Sequence, residues 1–295
     1  MNRPDAVGEG LLVFETVLIA DRGLLAARII RSCQRLGIKA VTCVADGDEN
    51  ALHARLADEA IRVGGAPEPG SPDLDLEAVV EAAHVSGAQA IHPGGAGRAR
   101  DDAFARAVLA AGLAWVGAPP GWPAGSHREH PAWRTTSRGG RTVLWETSTP
   151  APDWDNETLI GPDRLVEAVT GVDLVERQLR QAARERLDDL PAPSGHGIQA
   201  ALYAASNTLV PVAVSGWVEP DAEGVVTDSV LADGAWLTRY DGAVLALVTT
   251  RGRDRPEALA RLTSAVDGMA VDQPPAALAA LRALLREPSV ISVVG

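Results

Sequence analysis

The side chains able to do acid–base, metal or nucleophilic chemistry are few in this sequence, and most stand apart from one another. His127 and His130 lie three residues apart in GSHREHP, but no further histidine or cysteine lies near them. Cys33 and Cys43 lie in apolar stretches without a neighbouring histidine, which predicts buried and unreactive thiols. No GxSxG or GxGxxG motif occurs. We therefore predict no catalytic residue, no metal site and no bound cofactor.

The basic residues add a restriction, because the 27 of them include a single lysine, Lys39. Lys39 lies in GIKAV, between a helix pattern and a strand pattern, so it does not fit a P-loop, a Schiff-base pocket or a biotin-carrier turn. The net charge of −12 disfavours nucleic acid and anionic membranes as partners. No apolar run reaches about 18 residues and no basic segment precedes the first apolar stretch. We expect a soluble, cytoplasmic protein.

Regular elements must position these side chains, and the clearest are predicted in VLIADRGLLAARIIRSCQRLGI, residues 17–38. Its first four residues predict a buried parallel strand, and Asp21 is expected to cap a helix that begins at Gly23. Helical spacing predicts a buried apolar stripe and, on the opposite face, an exposed arginine stripe. The apolar stripe comprises Leu25, Ile29, Cys33 and Leu36, and the arginine stripe comprises Arg28, Arg31 and Arg35.

The rest of the chain divides into three parts. Strand and helix patterns alternate through residue 118, which predicts an open parallel α/β sheet for residues 1–118. Residues 119–162 are rich in Pro, Gly and Trp and contain one strand-like run, RTVLWET, so we interpret them as a linker. Residues 163–295 contain a helix pattern, several β-type runs and two final helices. This part is expected to form an α+β domain with an antiparallel sheet or small barrel.

The motifs resemble those of the biotin carboxylase component of biotin-dependent carboxylases. The opening stretch resembles that family's VLIANRGEIAxRIIRxCRxLGI, and GAQAIHPG stands where the family has HPGYGFLSEN. The other matching segments keep the family's order, and they are ALHARLADEA, VTGVDLVERQLRQAA, GHGIQAALYAA, VTDSV, the pair Tyr240 and Asp241, GRDRPEALARL and LRALLREP. The resemblance implies a Rossmann-like N-terminal biotin carboxylase domain followed by the family's C-terminal domain.

The family's central ATP-grasp domain, which holds ATP and magnesium and passes a carboxyl group to biotin, does not fit into this chain. Only 74 residues, positions 95–168, separate the HPG and VTG motifs. An ATP-grasp domain needs about 150 residues. We therefore predict that residues 119–162 replace that domain. The run SRGGRTVLW, with two glycines and no lysine, is only a weak match to its glycine-rich lid. The two ends are expected to pack together under a cover of tryptophans, namely Trp115, Trp122, Trp133, Trp145 and Trp154.

Most family positions that serve magnesium, bicarbonate and biotin are changed. The family's ExNxRxQVEHPVTExVTG reads WDNETLIGPDRLVEAVTG here, and a glutamate, an arginine and a lysine farther on are also lost. The replacing residues are Trp154, Thr158, Ile160, Pro162, Gln199, Ala201 and Ala246. Magnesium requires several anionic oxygens, which Asn156 and Glu167 alone do not supply. We interpret four retained family positions as vestigial, namely Asn156, Glu167, His196 and Asp241.

These features favour a biotin-carboxylase-like pseudoenzyme that assembles with or regulates a biotin-dependent acyl-CoA carboxylase. One alternative is residual ATP-dependent biotin carboxylase (ligase) activity, completed by a partner chain. Another is a small-molecule binding module at the carboxyl edge of the N-terminal sheet, near residues 21–24 and 92–97.

The resemblance also implies a role for the arginine stripe in assembly. In biotin carboxylases the first helix contributes arginines to a dimer interface, and Arg28 and Arg31 match them. Arg35 stands where the family often has a glutamate. This exchange disfavours a two-fold contact and favours an acidic patch on a different chain, such as an intact biotin carboxylase. We expect a homo- or hetero-oligomer, with the second favoured.

Overall fold

The first half of the chain is a parallel α/β unit. The computed structural model describes residues 14–63, 74–121, 134–138, 141–147, 163–204, 212–237 and 244–291. In chain order the first elements are β1 (Thr16–Ile19), α1 (Gly23–Arg35), β2 (Lys39–Val44), α2 (Leu52–Leu56), β3 (Glu59–Arg62), α3 (Leu76–Ser86), β4 (Ala90–His92), α4 (Ala96–Ala99), α5 (Asp102–Ala110) and β5 (Ala114–Trp115). The five strands are parallel in the order β3-β2-β1-β4-β5. The predicted open parallel sheet is confirmed.

The second half is built on an antiparallel sheet. Its elements are β6 (Arg134–Arg138), β7 (Arg141–Thr147), α6 (Asp163–Thr170), α7 (Leu174–Ala182), β8 (His196–Tyr203), β9 (Val212–Ala213), β10 (Val225–Ser229), β11 (Trp236–Leu237), β12 (Val244–Gly252), α8 (Arg255–Gly268), α9 (Ala276–Leu284) and α10 (Pro288–Ile291). Five strands pair in the order β10-β12-β8-β7-β6, and β9 pairs with β11. The predicted antiparallel α+β architecture is confirmed.

The strands β6 and β7 lie within the segment predicted to be a linker. They form an antiparallel hairpin, and β7 continues into the second sheet through its pairing with β8, where Leu144 lies opposite Ala200. The strand-like run RTVLWET is therefore a strand. Its placement ties part of residues 119–162 to the second sheet, while the predicted domain boundaries stay predictions.

The two halves share buried surface. One core cluster joins Val17, Ile19 and Ile29 of the first unit to Leu174 and Val175 of α7. Because Val166 of α6 enters the same cluster while α6 also packs on β8 and β12 of the second sheet, the halves pack as one body. Among the helices that the structure describes, none has the length and apolarity of a membrane-spanning segment.

Two tryptophans of the predicted cover lie in described positions. Trp115 is buried in the first unit, with its ring edge-on to Phe104 at 5.0 Å, and Trp145 is partly buried against the core of the second sheet. The other three, Trp122, Trp133 and Trp154, lie outside the described residues. The cover by these tryptophans stays a prediction.

Candidate functional site

The arginine stripe of α1 faces the second half of the chain. Arg28 is 1% exposed, so the prediction that it lies on an open face is wrong. The physical reason is that α6 and β10 pack over this face and bring carboxylates to it. Arg28 donates from Nη2 to Glu167 Oε1 over 2.8 Å. A buried guanidinium is tolerated because a charge-assisted hydrogen bond balances it.

Glu167 lies on α6 and is the centre of this buried network. Its Oε1 accepts from Arg28 and also from the Leu174 N–H, which is 2.8 Å away at the start of α7. Its Oε2 accepts from Arg164 Nη1 over 2.5 Å. Both oxygens are therefore engaged by groups of the same chain, and the side chain is 9% exposed.

Arg164 connects Glu167 to the second sheet. Its Nε donates to Asp228 Oδ2 and its Nη2 donates to Asp228 Oδ1, each over 2.6 Å, and Asp228 lies on β10. Burial opposes ionisation of Asp228, but the bidentate Arg164 guanidinium outweighs it, with help from Arg28 and Arg31, and holds the pKa of Asp228 below its ordinary range. The network therefore alternates cation and anion from α1 through α6 to β10.

The other two arginines of the stripe also meet acids of the second half. Arg31 is half-buried and contributes to the field at Asp228. Arg35 is 53% exposed and forms an ion pair with Asp173, the residue whose carboxylate caps α7 through the Glu176 N–H. A contact of Arg31 or Arg35 with another chain stays a prediction.

A second cluster lies where β7, β8 and α8 meet. Arg255 donates to both oxygens of Glu146, over 2.6 and 3.2 Å, and also to the Val290 carbonyl. His196 Nε2 lies 3.2 Å from Glu146 Oε2. Burial alone would raise the pKa of Glu146, but the hydrogen bonds from His196 and Arg255 lower it to about 2. His196 was predicted as a vestigial position, whereas Glu146 was missed; its signal is a carboxylate inside the strand run RTVLWET.

The carboxyl edge of the first sheet carries a third group of polar residues. The predicted capping of α1 by Asp21 is wrong, because Arg22 occupies the cap position and no side chain caps the helix. Asp21 instead accepts from the Arg22 N–H and, across the crevice, from the Gly95 N–H. Nearby, His92 Nδ1 accepts from the Gly94 N–H, which leaves the proton on Nε2 to reach Gln178 Oε1 at 3.2 Å. Hydrogen bonds within the chain therefore bridge the crevice predicted for a small molecule.

The two cysteines are buried, and several other predicted residues lie outside the described part of the chain. Burial raises the thiol pKa of Cys33 and of Cys43 to about 12, so both are inert as predicted. Asn156 and Asp241 lie outside the described residues, as do His127 and His130. Within the described positions no three His, Cys, Asp or Glu side chains are grouped to hold a metal ion.

Sequence comparison finds known relatives that match the first half of the chain. Residues 13–122 match the family described as biotin carboxylase, N-terminal domain. The mitochondrial methylcrotonoyl-CoA carboxylase subunit alpha of Oryza sativa subsp. japonica is 45% identical over 106 residues, which are 36% of this chain and 14% of that protein. The biotin carboxylase of Halalkalibacterium halodurans is 41% identical over 108 residues, 37% of this chain and 24% of that protein. The chain thus matches about a quarter or less of these relatives' length.

Structural comparison extends the likeness to both halves. The urea carboxylase of Kluyveromyces lactis superposes with a TM-score of 0.78 at 24% identity, covering 94% of this chain and 32% of that one. The biotin carboxylase of Campylobacter jejuni superposes with a TM-score of 0.78 at 15% identity, covering 94% of this chain and 96% of that one. At these identities the likeness shows a shared fold.

Proposed function

Because residues 13–122 are related to the N-terminal domain of biotin carboxylases, we propose that this chain is a non-catalytic subunit of a biotin-dependent acyl-CoA carboxylase, which it helps to assemble or regulates. The observation that carries the proposal is the state of Glu167. This retained family position is a structural charge, since its two oxygens are bound by Arg28, Arg164 and the Leu174 N–H. With three donors from this chain and 9% of its side chain exposed, this carboxylate serves the packing of α1, α6 and α7.

The chain between the two halves supports the loss of the ATP-grasp domain. Described structure in the first unit ends at Gly121, and α6 begins at Asp163. Within this interval β6 and β7 are committed to the second sheet. An ATP-grasp domain of about 150 residues is too large for the interval.

The names of the relatives support the kind of partner that we propose. Two of them are named as alpha subunits or chains of acyl-CoA carboxylases, namely methylcrotonoyl-CoA carboxylase and propionyl-CoA carboxylase. We propose a hetero-oligomer with an intact biotin carboxylase or another subunit of such an enzyme, with self-association as the alternative outcome.

Two measurements test the function. Calorimetric titration with MgATP, together with phosphate release in the presence of bicarbonate and biotin, is expected to show neither binding nor turnover. Affinity purification from the native host followed by mass spectrometry is expected to recover a carboxylase component. Bicarbonate-stimulated phosphate release by the purified chain contradicts the non-catalytic role, and recovery of the chain alone contradicts the assembly role.

A further inference from the structure

The Asp21 carboxylate joins two turns that follow neighbouring parallel strands. Its Oδ1 accepts from the Arg22 N–H over 2.8 Å in the β1–α1 turn, and its Oδ2 accepts from the Gly95 N–H over 2.9 Å in the β4–α4 loop. Gly94, at φ +85°, passes so close that a Cβ there would lie 1.9 Å from Asp21 Oδ2. The loop therefore rests directly on the carboxyl group, and Asp21 is a contact between two segments that are 74 residues apart in sequence.

The Asp21 contact lies at the carboxyl ends of β1 and β4, where this kind of sheet forms a crevice. The strand order β3-β2-β1-β4-β5 reverses direction between β1 and β4, and in open α/β sheets the carboxyl ends at such a point form a crevice that holds ligands. The Asp21 contact spans this crevice. Movement of the β4–α4 loop away from Asp21 would open it.

The groups that face Asp21 leave its charge poorly compensated. Arg22 of the β1–α1 turn and Arg98 of α4 are the cations that act on it, and Arg98 Nη1 donates to the Ala20 carbonyl over 2.6 Å. His92 of β4 accepts from the Gly94 N–H of the same loop, and burial lowers its pKa to about 4, so it is neutral near neutral pH. Loss of solvent is the largest influence on Asp21 and raises its pKa from 3.8 to about 6, against the two backbone donors and two arginines.

We propose that Asp21 is a proton-binding latch, which holds the β4–α4 loop against the β1–α1 turn more tightly in mildly acidic than in mildly alkaline solution. The sign follows from linkage. In the closed arrangement the carboxyl group binds a proton more strongly than in an open, solvated arrangement, so closing takes up a proton. The stabilisation is complete below the solvated pKa of 3.8 and is lost as pH rises through about 6. The opening equilibrium of the loop is expected to increase about tenfold between pH 5 and pH 8.

Amide hydrogen exchange of the segment that contains Gly94 and Gly95 measures this opening. After correction for the intrinsic exchange rate, the protection of these amides is expected to fall about tenfold from pH 5 to pH 8 in the unmodified chain. In Asp21→Asn, which keeps the shape and one acceptor oxygen but binds no proton, protection is expected to be independent of pH in this range. Amides of β12 in the second sheet serve as the internal reference for global changes. An unchanged pH dependence in Asp21→Asn overturns the latch.

A second measurement needs no variant. The side-chain carboxyl carbon of Asp21, followed by NMR in the unmodified full-length chain, is expected to titrate near pH 6, and titration near its ordinary value of 3.8 overturns the proposal. Both readouts are independent of whether the chain associates with a carboxylase.

Discussion

The carboxylates of Glu167 and Glu146 each neutralise a buried or partly buried arginine. Glu167 faces Arg28 and Arg164, and Glu146 faces Arg255. A buried ion pair stabilises a fold only modestly relative to apolar residues, but removing one partner leaves an uncompensated charge and is costly. These glutamates are therefore best tested by their effect on folding.

Glu167→Gln is expected to lower the free energy of unfolding by about 3 kcal/mol, because Arg28 and Arg164 lose their shared counter-charge. Urea denaturation followed by circular dichroism gives the value. The matched control is Glu185→Gln, whose partner Arg180 lies 3.1 Å away at the surface with 41% of its side chain exposed. This control is expected to change stability by less than about 0.5 kcal/mol. Equal effects for the two variants contradict a structural role for Glu167.

Glu146 makes part of the stability dependent on pH. Its pKa of about 2 lies below the ordinary 4.5, so its contribution is fully present above pH 4.5 and is lost as pH falls towards 2. In Glu146→Gln the loss of stability between pH 6 and pH 2.5 is expected to be smaller than in the unmodified chain by roughly 2 kcal/mol. Urea titrations at the two pH values measure it. A stability loss of the same size in both proteins counts against this assignment.

The helix α1 packs against both sheets. Its apolar residues enter the core of the first unit, Leu24 enters the core of the second, and the arginine stripe meets carboxylates from α6, α7 and β10. Within the stripe Arg28 is buried and Arg31 is half-buried, so Arg35 is the stripe position most open to a partner chain.

Arg35→Glu and Arg28→Glu separate assembly from folding. Arg28→Glu places a second carboxylate beside Glu167 and is expected to cost more than about 3 kcal/mol of stability. Arg35→Glu is expected to cost less than about 1 kcal/mol, because the Arg35 side chain is 53% exposed. Loss of the co-purified partner with Arg35→Glu, at unchanged stability by urea denaturation, supports the predicted interface. Retention of the partner removes α1 from the contact surface.

The sequence predicted the helices and strands better than the contacts that their side chains make with distant parts of the chain. The first strand, predicted at 17–20 and found at Thr16–Ile19, and the helix from Gly23 follow from a local apolar run and from helical spacing, which need no knowledge of the rest of the chain. The burial of Arg28 depends on Glu167, which is 139 residues away, so a helical pattern reads Arg28 as exposed. Glu146 meets Arg255 across 109 residues in the same way. Asp21 resembles a helix cap in sequence, but Gly95 offers its N–H from another strand's loop.

The two sheets form a single packed body through the segments between them. α6 contributes Leu165 and Val166 and α7 contributes Leu174 to fully buried positions, while the ion network crosses the same boundary. Shared apolar surface and shared buried charge mean that opening one half exposes groups of the other.

We therefore expect one cooperative unfolding transition. Native-state hydrogen exchange is expected to give the same opening free energy for the most protected amides of β1 and of β12, and both should respond equally to low concentrations of urea. Arg164→Leu, which cuts the network between α6 and β10, is expected to make the two values diverge. Separate values for the two strands in the unmodified chain contradict this coupling.

The covering of α1 by α6 and α7 has a consequence for biosynthesis. When the ribosome has delivered residues up to Gly121, every strand of the parallel sheet is present, yet Arg28 has no carboxylate and the apolar surface that Leu174 and Val175 cover is open to water. The first half must wait for α6 and α7 to leave the exit tunnel before it completes its own core. During that interval the nascent chain presents an apolar and cationic face, which is the kind of surface that ribosome-associated chaperones must shield from aggregation.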